Sequence, residues 1–345
     1  MSGDPVPGSL FVYAPNKAAP VFFAVAFGAS AVGHIWQCVR YKSFRLTGLH
    51  PVCGVLFTLG YILREIGAFN YTYSPPNLIN FILSQVFIYV CPPLLELANY
   101  HVLGRIFYYV PHLAPLPPGR VLRIFGGLMG IVELLNALGV ALAANPTSSQ
   151  STQKLAKYLT IVAIAIQLVI ILAFGVMASI FHHRCTKTDV KSTKVFTPLR
   201  TLYASMLLIF IRCIYRLVEH TGNTNVKLKD IEALRQLSPI LRYEWFFYVF
   251  EATLMLINSV LWNVWSPGRY LPQNRSLHLA ADGITEVMGQ EEKDDRSLVF
   301  KVLNVLTFGI FFRHRSNSDS RKRNGSGSFE ELREYYPAVP GAQNA

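Results

Sequence analysis

Charged side chains stand inside two apolar stretches in the second half of the chain. Arg212, Arg216 and Glu219 lie in a run that begins near residue 199, and at 100° per residue of helix they share an arc of about 60°. The next apolar run carries a second stripe, made of Glu244, Tyr248 and Glu251. Charges at membrane depth are costly and usually mark a ligand site or a buried ion pair. Since one loop joins the basic helix face to the acidic helix face, we expect the two faces to form ion pairs.

Other polar residues occur at comparable depth in earlier apolar runs. The candidate substrate-binding set is therefore Arg64, Glu65, Gln85, Arg212, Arg216, Glu219, Glu244, Tyr248 and Glu251. Secondary polar positions are His34, Glu96, Glu133 and Gln167. For the outermost members, structural ion pairing or snorkelling to the interface is an equal alternative. For the deeper Arg212, Arg216 and Glu251, a polar cavity is the favoured interpretation.

Motifs for metal, nucleotide or nucleophilic chemistry are missing from the sequence. It contains no H-E-x-x-H, no Walker A loop, no paired histidine boxes and no G-x-S-x-G. We therefore expect no catalytic residues, no metal site, no cofactor and no enzymatic activity.

The composition is that of a membrane protein. Of 345 residues, 52% are hydrophobic and only 15% are charged, against about 25% in soluble proteins. This excludes a disordered chain and argues against a large soluble enzyme. The net charge of +12 need not mean nucleic-acid binding, because basic residues also orient membrane proteins. We expect no nucleic-acid partner.

Seven stretches are long and apolar enough to cross a bilayer, which takes about 20 residues. They are 18–39, 47–67, 78–100, 121–143, 158–181, 199–219 and 245–265. The predicted fold is all-α, a polytopic seven-helix transmembrane bundle over 18–265. Residues 1–17 would form an extracellular segment and 266–345 a cytosolic tail.

The distribution of Lys and Arg predicts the orientation. Segments placed inside hold 11 of these residues and segments placed outside hold 7. The N-terminus is thus expected outside and the C-terminus in the cytosol, with no cleaved signal peptide. Asn70 would then be an outer glycosylation sequon next to the membrane.

The tail contains an apolar run over 298–312, too short to span. Its polar residues recur at helical spacing, which suits an interfacial amphipathic helix. A basic cluster follows, made of Arg313, Arg315, Arg321, Lys322 and Arg323. This cluster would attract anionic inner-leaflet lipids. The alternative is a helix that packs on the bundle beside a disordered serine-rich segment.

Several blocks, in order and in matching spans, resemble the fungal lipid-translocating exporter family. They include Gly60-Tyr61-Ile-Leu-Arg64, Ile211-Arg212-Cys-Ile-Tyr215-Arg216-Leu-Val-Glu219 and Glu244-Trp-Phe-Phe-Tyr248-Val-Phe-Glu251. The resemblance covers residues 13–272, and in that family the position of Glu251 is more often aspartate. It implies seven spans with an outer N-terminus and the export of sphingoid long-chain bases or sterol-like compounds, with resistance to toxic lipids.

Two functions follow as expectations. The first is a plasma-membrane translocator of amphipathic lipids, in which Glu251 holds a substrate ammonium and Arg212 and Arg216 control the charge of that carboxylate. The second is a seven-span receptor or lipid sensor that signals through cytosolic loops and tail, since topology alone implies neither role. A lipid-modifying membrane enzyme is the weakest alternative.

Overall fold

The structure is a computed structural model. It describes residues 4–143, 150–188, 190, 192–222, 230–272, 274, 277–280 and 285–288. The predicted tail helix over 298–312 and the basic cluster that follows it lie outside the described residues.

Seven helical segments within the described ranges are long and apolar enough to cross a membrane, which confirms the predicted all-α seven-span fold. The helices are α1 Ala18–Arg40, α2 Phe44–Thr47, α3 Leu49–Phe69, α4 Pro75–Tyr109, α5 Pro118–Ala143, α6 Gln150–Lys187, α7 Thr193–Thr221, α8 Ile231–Arg235, α9 Pro239–Arg242, α10 Glu244–Phe247, α11 Leu254–Val264 and α12 Pro267–Tyr270. A π-helical turn, Tyr248–Thr253, joins α10 to α11, and together the three form the seventh span. Strands β1 Leu277–Leu279 and β2 Glu286–Met288 pair antiparallel.

Several helices extend beyond the predicted apolar runs. Helix α4 begins at Pro75, where Ser74 caps it by accepting from the amide of Asn77, and it continues through both Pro92 and Pro93. The proline pair therefore does not divide the span. Helix α6 extends to Lys187, six residues beyond the predicted span 158–181, and so includes Cys185. A hydropathy window detects only the apolar part of a helix, whereas backbone hydrogen bonding continues into its polar ends.

The seven spans form a closed ring in chain order. Each packs against the next, the seventh packs on α1 and α7, and α4 also contacts α7. Small residues permit the close approaches: a Cβ built on Gly54 of α3 would lie 2.8 Å from the Cβ of Ala31 on α1. Helices in lipid associate largely through such packing, since apolar surface gains little by leaving apolar tails.

Polar segments cover the two ends of the bundle. One end, here the N-terminal face, holds residues 4–17, the turn at 70–74, α8 and α9. The other, here the C-terminal face, holds α2, α12 and the β1–β2 hairpin. There the guanidinium of Arg105 donates hydrogen bonds to the carbonyls of Pro272 and Asn274. The described chain after the seventh span is thus tied to the end of α4.

Candidate functional site

A buried ion pair joins the sixth and seventh spans. Arg212 Nε of α7 donates to Glu251 Oε1 over 2.7 Å, and the Glu251 side chain is 0% exposed. Within the described chain, Glu251 Oε2 is buried and has no hydrogen-bond partner. A buried carboxylate oxygen without a donor is costly, so this atom is a ready acceptor for a cationic or N–H-bearing group.

The local backbone at Glu251 is unusual. Tyr248–Thr253 is a π-helical turn, in which hydrogen bonds span five residues instead of four. The hydroxyl of Thr253 donates to the Tyr248 carbonyl over 2.8 Å and helps to hold this turn. Such turns insert one extra residue and reorient the side chains around it, and they occur frequently at functional sites. Here the turn sets the direction of the Glu251 carboxylate.

A second ion pair lies closer to the N-terminal face. Arg64 Nη2 of α3 lies 3.3 Å from Glu244 Oε1 at the start of α10, and both side chains are at most 3% exposed. Arg64 also donates to the hydroxyls of Tyr248, over 3.2 Å, and Tyr13, over 3.0 Å. Of the two alternatives for the outermost candidates, Arg64 and Glu244 form the structural ion pair and do not snorkel to the interface, because the N-terminal segment covers them.

Aromatic rings enclose the Arg64 guanidinium. Its carbon lies 4.1 Å from the ring centre of Phe247, 4.9 Å from that of Phe11 and 5.4 Å from that of Tyr248. A cation over desolvated aromatic rings gains about 2 kcal/mol. These rings and the Glu244 carboxylate together offset the cost of burying the charge.

The N-terminal segment covers the Arg64–Glu244 pair at the N-terminal face. The amide of Asn16 donates to Glu244 Oε2 over 2.8 Å, and Val12 packs against Leu234 of α8. Burial raises the pKa of Tyr13 to about 12, so its hydroxyl stays protonated while it accepts from Arg64. Val12 has a φ of +72°, an unfavourable backbone conformation for a β-branched residue. The described segment therefore adopts a strained conformation where it covers the Arg64–Glu244 pair.

Arg216 has partners on its own helix. Its Nη1 lies 2.5 Å from Glu219 Oε2, its Nη2 is 3.1 Å from His220 Nε2, and its guanidinium lies 4.1 Å from the ring centre of Tyr89 on α4. The acidic stripe of the seventh span therefore does not pair with every member of the basic stripe. Arg212 pairs with that span, whereas Arg216 is neutralised within α7.

Three of the other candidate positions are half-buried and belong to neither ion pair; they are Glu65, Gln85 and Glu133. Two secondary positions meet in the core, where Gln167 Nε2 of α6 donates to Glu96 Oε2 over 2.8 Å and Tyr100 donates to Glu96 Oε1. His34 of α1 contacts the seventh span through the carbonyl of Ser259, at 3.1 Å.

Three further buried polar side chains in the bundle were not among the predicted site residues; they are His50, Tyr61 and Asn258. His50 of α3 stacks on His34 with ring centres 5.2 Å apart, and neither of its nitrogens has a partner within the described residues. Within the described residues, the side-chain amide of Asn258 and the hydroxyl of Tyr61 are also buried without hydrogen-bond partners. The one sequence signal for these residues is a polar side chain within an apolar run. Periodicity does not reveal which helices meet, so it could not place them in the interior.

No group of three or more His, Cys, Asp or Glu side chains within the described ranges could hold a metal ion. The chemistry that the described residues support is reversible binding of charged groups. Carboxylates can accept from a cation, and the buried arginines can set how strongly those carboxylates attract it.

Comparison with known proteins agrees with this architecture. The family model described as RTA1 like protein matches residues 51–274. A Leptosphaeria maculans protein named lipid-translocating exporter-like protein RTA1 is 53% identical over 319 residues, covering 90% of this chain but only 61% of that protein. An Emericella nidulans protein named probable lipid transporter atnI is 29% identical over 76% of this chain and 69% of its own length. An Ajellomyces capsulatus protein named lipid-translocating exporter-like protein RTA1 is 28% identical over 68% of this chain and 73% of its own length. No solved structure matches the chain.

Proposed function

The chain belongs to the RTA1-like family, and on that premise we propose that it is a multi-pass membrane protein that translocates amphipathic lipids. The names of its relatives, which describe lipid-translocating exporters and a lipid transporter, support this role over the receptor alternative. No enzymatic step is part of the proposal.

The proposed substrate is a long-chain amine such as a sphingoid base, or a sterol-like compound that carries a cationic group. The observation that supports this class is the Glu251 carboxylate, fully buried at the π-helical turn with one oxygen on Arg212 and the other unpartnered in the described chain. An ammonium can donate up to three hydrogen bonds. Glu251 Oε2 would accept one of them without displacement of Arg212.

Access to Glu251 requires a rearrangement, because the carboxylate has no exposed surface in this structure. We propose that the seventh span moves away from α7 or α3, which opens the site to lipid and exposes the carboxylate. Arg212 neutralises Glu251 while the site is empty and keeps its contact with Oε1 when an ammonium binds to Oε2. Proton exchange at Glu251 or at Glu133 would then supply the energy for transport.

The proposed setting is a fungal plasma membrane with the N-terminal face outside, in which the protein confers resistance to toxic lipids. The excess of Lys and Arg in the segments at the C-terminal face supports this orientation. Glycosylation of Asn70 would agree with this orientation. Glycosylation of Asn274 or Asn324 would show the opposite orientation.

The test is a flux assay in proteoliposomes with labelled sphingoid bases, sterols and phospholipids. We expect Glu251→Gln to abolish long-chain-base flux, because a neutral amide does not attract an ammonium strongly. Glu251→Asp should keep most of it, since the charge is retained. Glu232→Gln is the matched control, because the Glu232 side chain at the N-terminal face is 81% exposed. All variants are compared at equal amounts of monodisperse protein.

Undiminished flux by Glu251→Gln would contradict the assignment of this site. If the native protein moves no lipid but binds a cytosolic partner when a ligand is added, the receptor alternative is correct instead.

A further inference from the structure

An open groove runs along the membrane-facing side of α6 and α7. Its volume is about 730 Å³. Apolar side chains line most of its length, namely Ile171, Leu172, Val176, Met206, Leu207 and Phe210. His183 and Arg184 lie at one end, near the C-terminal face. The groove therefore has an apolar body and a basic end.

Gly175 keeps the middle of the groove open. A Cβ built on this residue would meet no other atom within 4 Å, so the glycine is not required for close helix packing. Gly139 at the α5–α6 contact differs, since a Cβ there would lie 2.4 Å from the Thr160 hydroxyl. The absence of a side chain at Gly175 thus leaves space on the groove wall.

The length of the groove matches one leaflet of a bilayer. From Ile171 to Arg184 the helix rises about 20 Å at 1.5 Å per residue. Half of the hydrocarbon core is about 15 Å thick, and the interface adds several ångströms. One acyl chain in the groove would place its headgroup beside His183 and Arg184.

The basic end favours an anionic headgroup. The Arg184 side chain is exposed, and the hydrogen bond that its Nη1 donates to the carbonyl of Leu113 is long at 3.4 Å. A guanidinium has five N–H donors and binds phosphate oxygens in pairs. Lys187, one turn further along α6, adds a second permanent positive charge at the same end.

We propose that this groove binds one acyl chain of an anionic phospholipid, with the headgroup phosphate on Arg184. The site is separate from the ammonium site at Glu251 and does not depend on the proposed transport function. An acyl chain in the bilayer is already out of water. Its transfer into the groove therefore gains nothing from the hydrophobic effect. Selectivity comes from the headgroup, and one arginine near the surface gives about a fivefold preference.

Occupancy of the groove can reach the bundle interior through Met206. Its sulfur accepts from Asn99 Nδ2 over 3.1 Å, and the same amide group donates to Ser205, which accepts from Trp262 of the seventh span. A bound acyl chain would press on this methionine and so on the hydrogen bonds that join Asn99, Ser205 and Trp262.

The test uses the full chain in nanodiscs and spin-labelled phosphatidic acid and phosphatidylcholine as probes. The fraction of motionally restricted lipid gives the relative affinity. We expect the native protein to prefer phosphatidic acid at least about fivefold. Arg184→Gln should lower this preference severalfold, to the level that Lys187 and the tail set, whereas Arg200→Gln, an exposed arginine outside the groove, should leave it unchanged. The tail is present in every variant and contributes equally.

Filling the groove tests the chain site separately. Gly175→Trp should remove the excess of restricted phosphatidic acid that depends on Arg184, and Gly175→Leu should reduce that excess, while Val169→Trp on the exposed surface of α6 should not. Flux of long-chain base should persist in Arg184→Gln, which separates this site from the one at Glu251. An unchanged preference in Arg184→Gln, or unchanged binding in Gly175→Trp and Gly175→Leu, would overturn the proposal.

Discussion

Arg212 and Glu251 form an ion pair that satisfies only one of the two carboxylate oxygens within the described chain. Burying both charges costs several kcal/mol per ion, which the 2.7 Å contact offsets in part. The pair therefore contributes little net stability, but the loss of either partner alone is costly. The unpartnered oxygen is the atom to which we propose that a substrate ammonium binds.

We expect Arg212→Gln to lower the free energy of unfolding by about 3–5 kcal/mol, because it leaves Glu251 buried and unpaired. Glu251→Gln in the same chain should restore most of the loss. The measurement is thermal unfolding in detergent, followed by tryptophan fluorescence. Additive losses in the double variant would show that the two side chains do not depend on each other.

A second expectation concerns Arg64, which connects α3 to the N-terminal segment. Arg64→Lys keeps the charge but loses the planar donor set that reaches Tyr13, Tyr248 and Glu244. One hydrogen bond to a charged group is worth about 1.5–3 kcal/mol, so amide exchange in residues 10–16 should accelerate at least about tenfold. Hydrogen-exchange mass spectrometry measures it. The control is Arg235→Lys, whose side chain is 64% exposed; equal exchange in the two variants would refute the role of Arg64.

The contact between α1 and α3 gives a third expectation. Gly54→Leu would place a Cβ 2.8 Å from the Ala31 Cβ and 3.0 Å from its Cα, so the helices must separate. Overpacking of this kind costs about 1–3 kcal/mol and should lower the melting temperature. Gly175→Ala is the matched control, because open space surrounds that position and alanine favours helix. A Gly54→Leu protein as stable as the native one would contradict the described packing.

The C-terminal face should respond to acid. Hydrogen bonds from Lys194, over 2.7 Å, and from Tyr109 hold the pKa of Glu286 below its ordinary value of 4.5. A carboxyl whose pKa is lowered by docking stabilises the docked hairpin above its ordinary pKa, and this contribution is lost as the pH falls through the lowered value. The hairpin should therefore stay docked at pH 7 and loosen in acid, as the pH falls below the ordinary pKa of 4.5.

Spin labels on Val287→Cys and Thr193→Cys can report this docking, because the five native cysteines are buried. We expect a narrow distance distribution at pH 7 that broadens in acid. Glu286→Gln should give the same broad distribution at both pH values. A narrow distribution for the native carboxyl in acid would refute the pH dependence.

Much of the architecture could be predicted from the sequence. Spans such as the one around Gln167 are detected by apolar length alone, since a bilayer demands about 20 such residues in a helix. The contact of Arg212 with the seventh span could be predicted from helical periodicity, because one loop joins a basic stripe to an acidic stripe at the same depth. The longer extents of α4 and α6 could not be predicted, because their polar ends do not differ from loops in hydropathy.

Which charged and polar side chains pair with each other could be learned only from the tertiary structure. Arg212 and Arg216 share one face of α7, yet only Arg212 meets Glu251, because the π-helical turn and the crossing of two spans decide which side chains touch. Tyr13, His50 and Asn258 likewise enter the polar interior only because distant segments pack there.

The sequence by itself determined that the chain crosses a membrane seven times and holds charges within its spans, because hydropathy and helical periodicity are local properties. Only the tertiary structure decided that Glu251 keeps one oxygen without a partner in the described chain and that Arg64 is covered by residues 11–16. Those features depend on contacts between residues far apart in the chain, and no local pattern encodes the distance or orientation of such contacts.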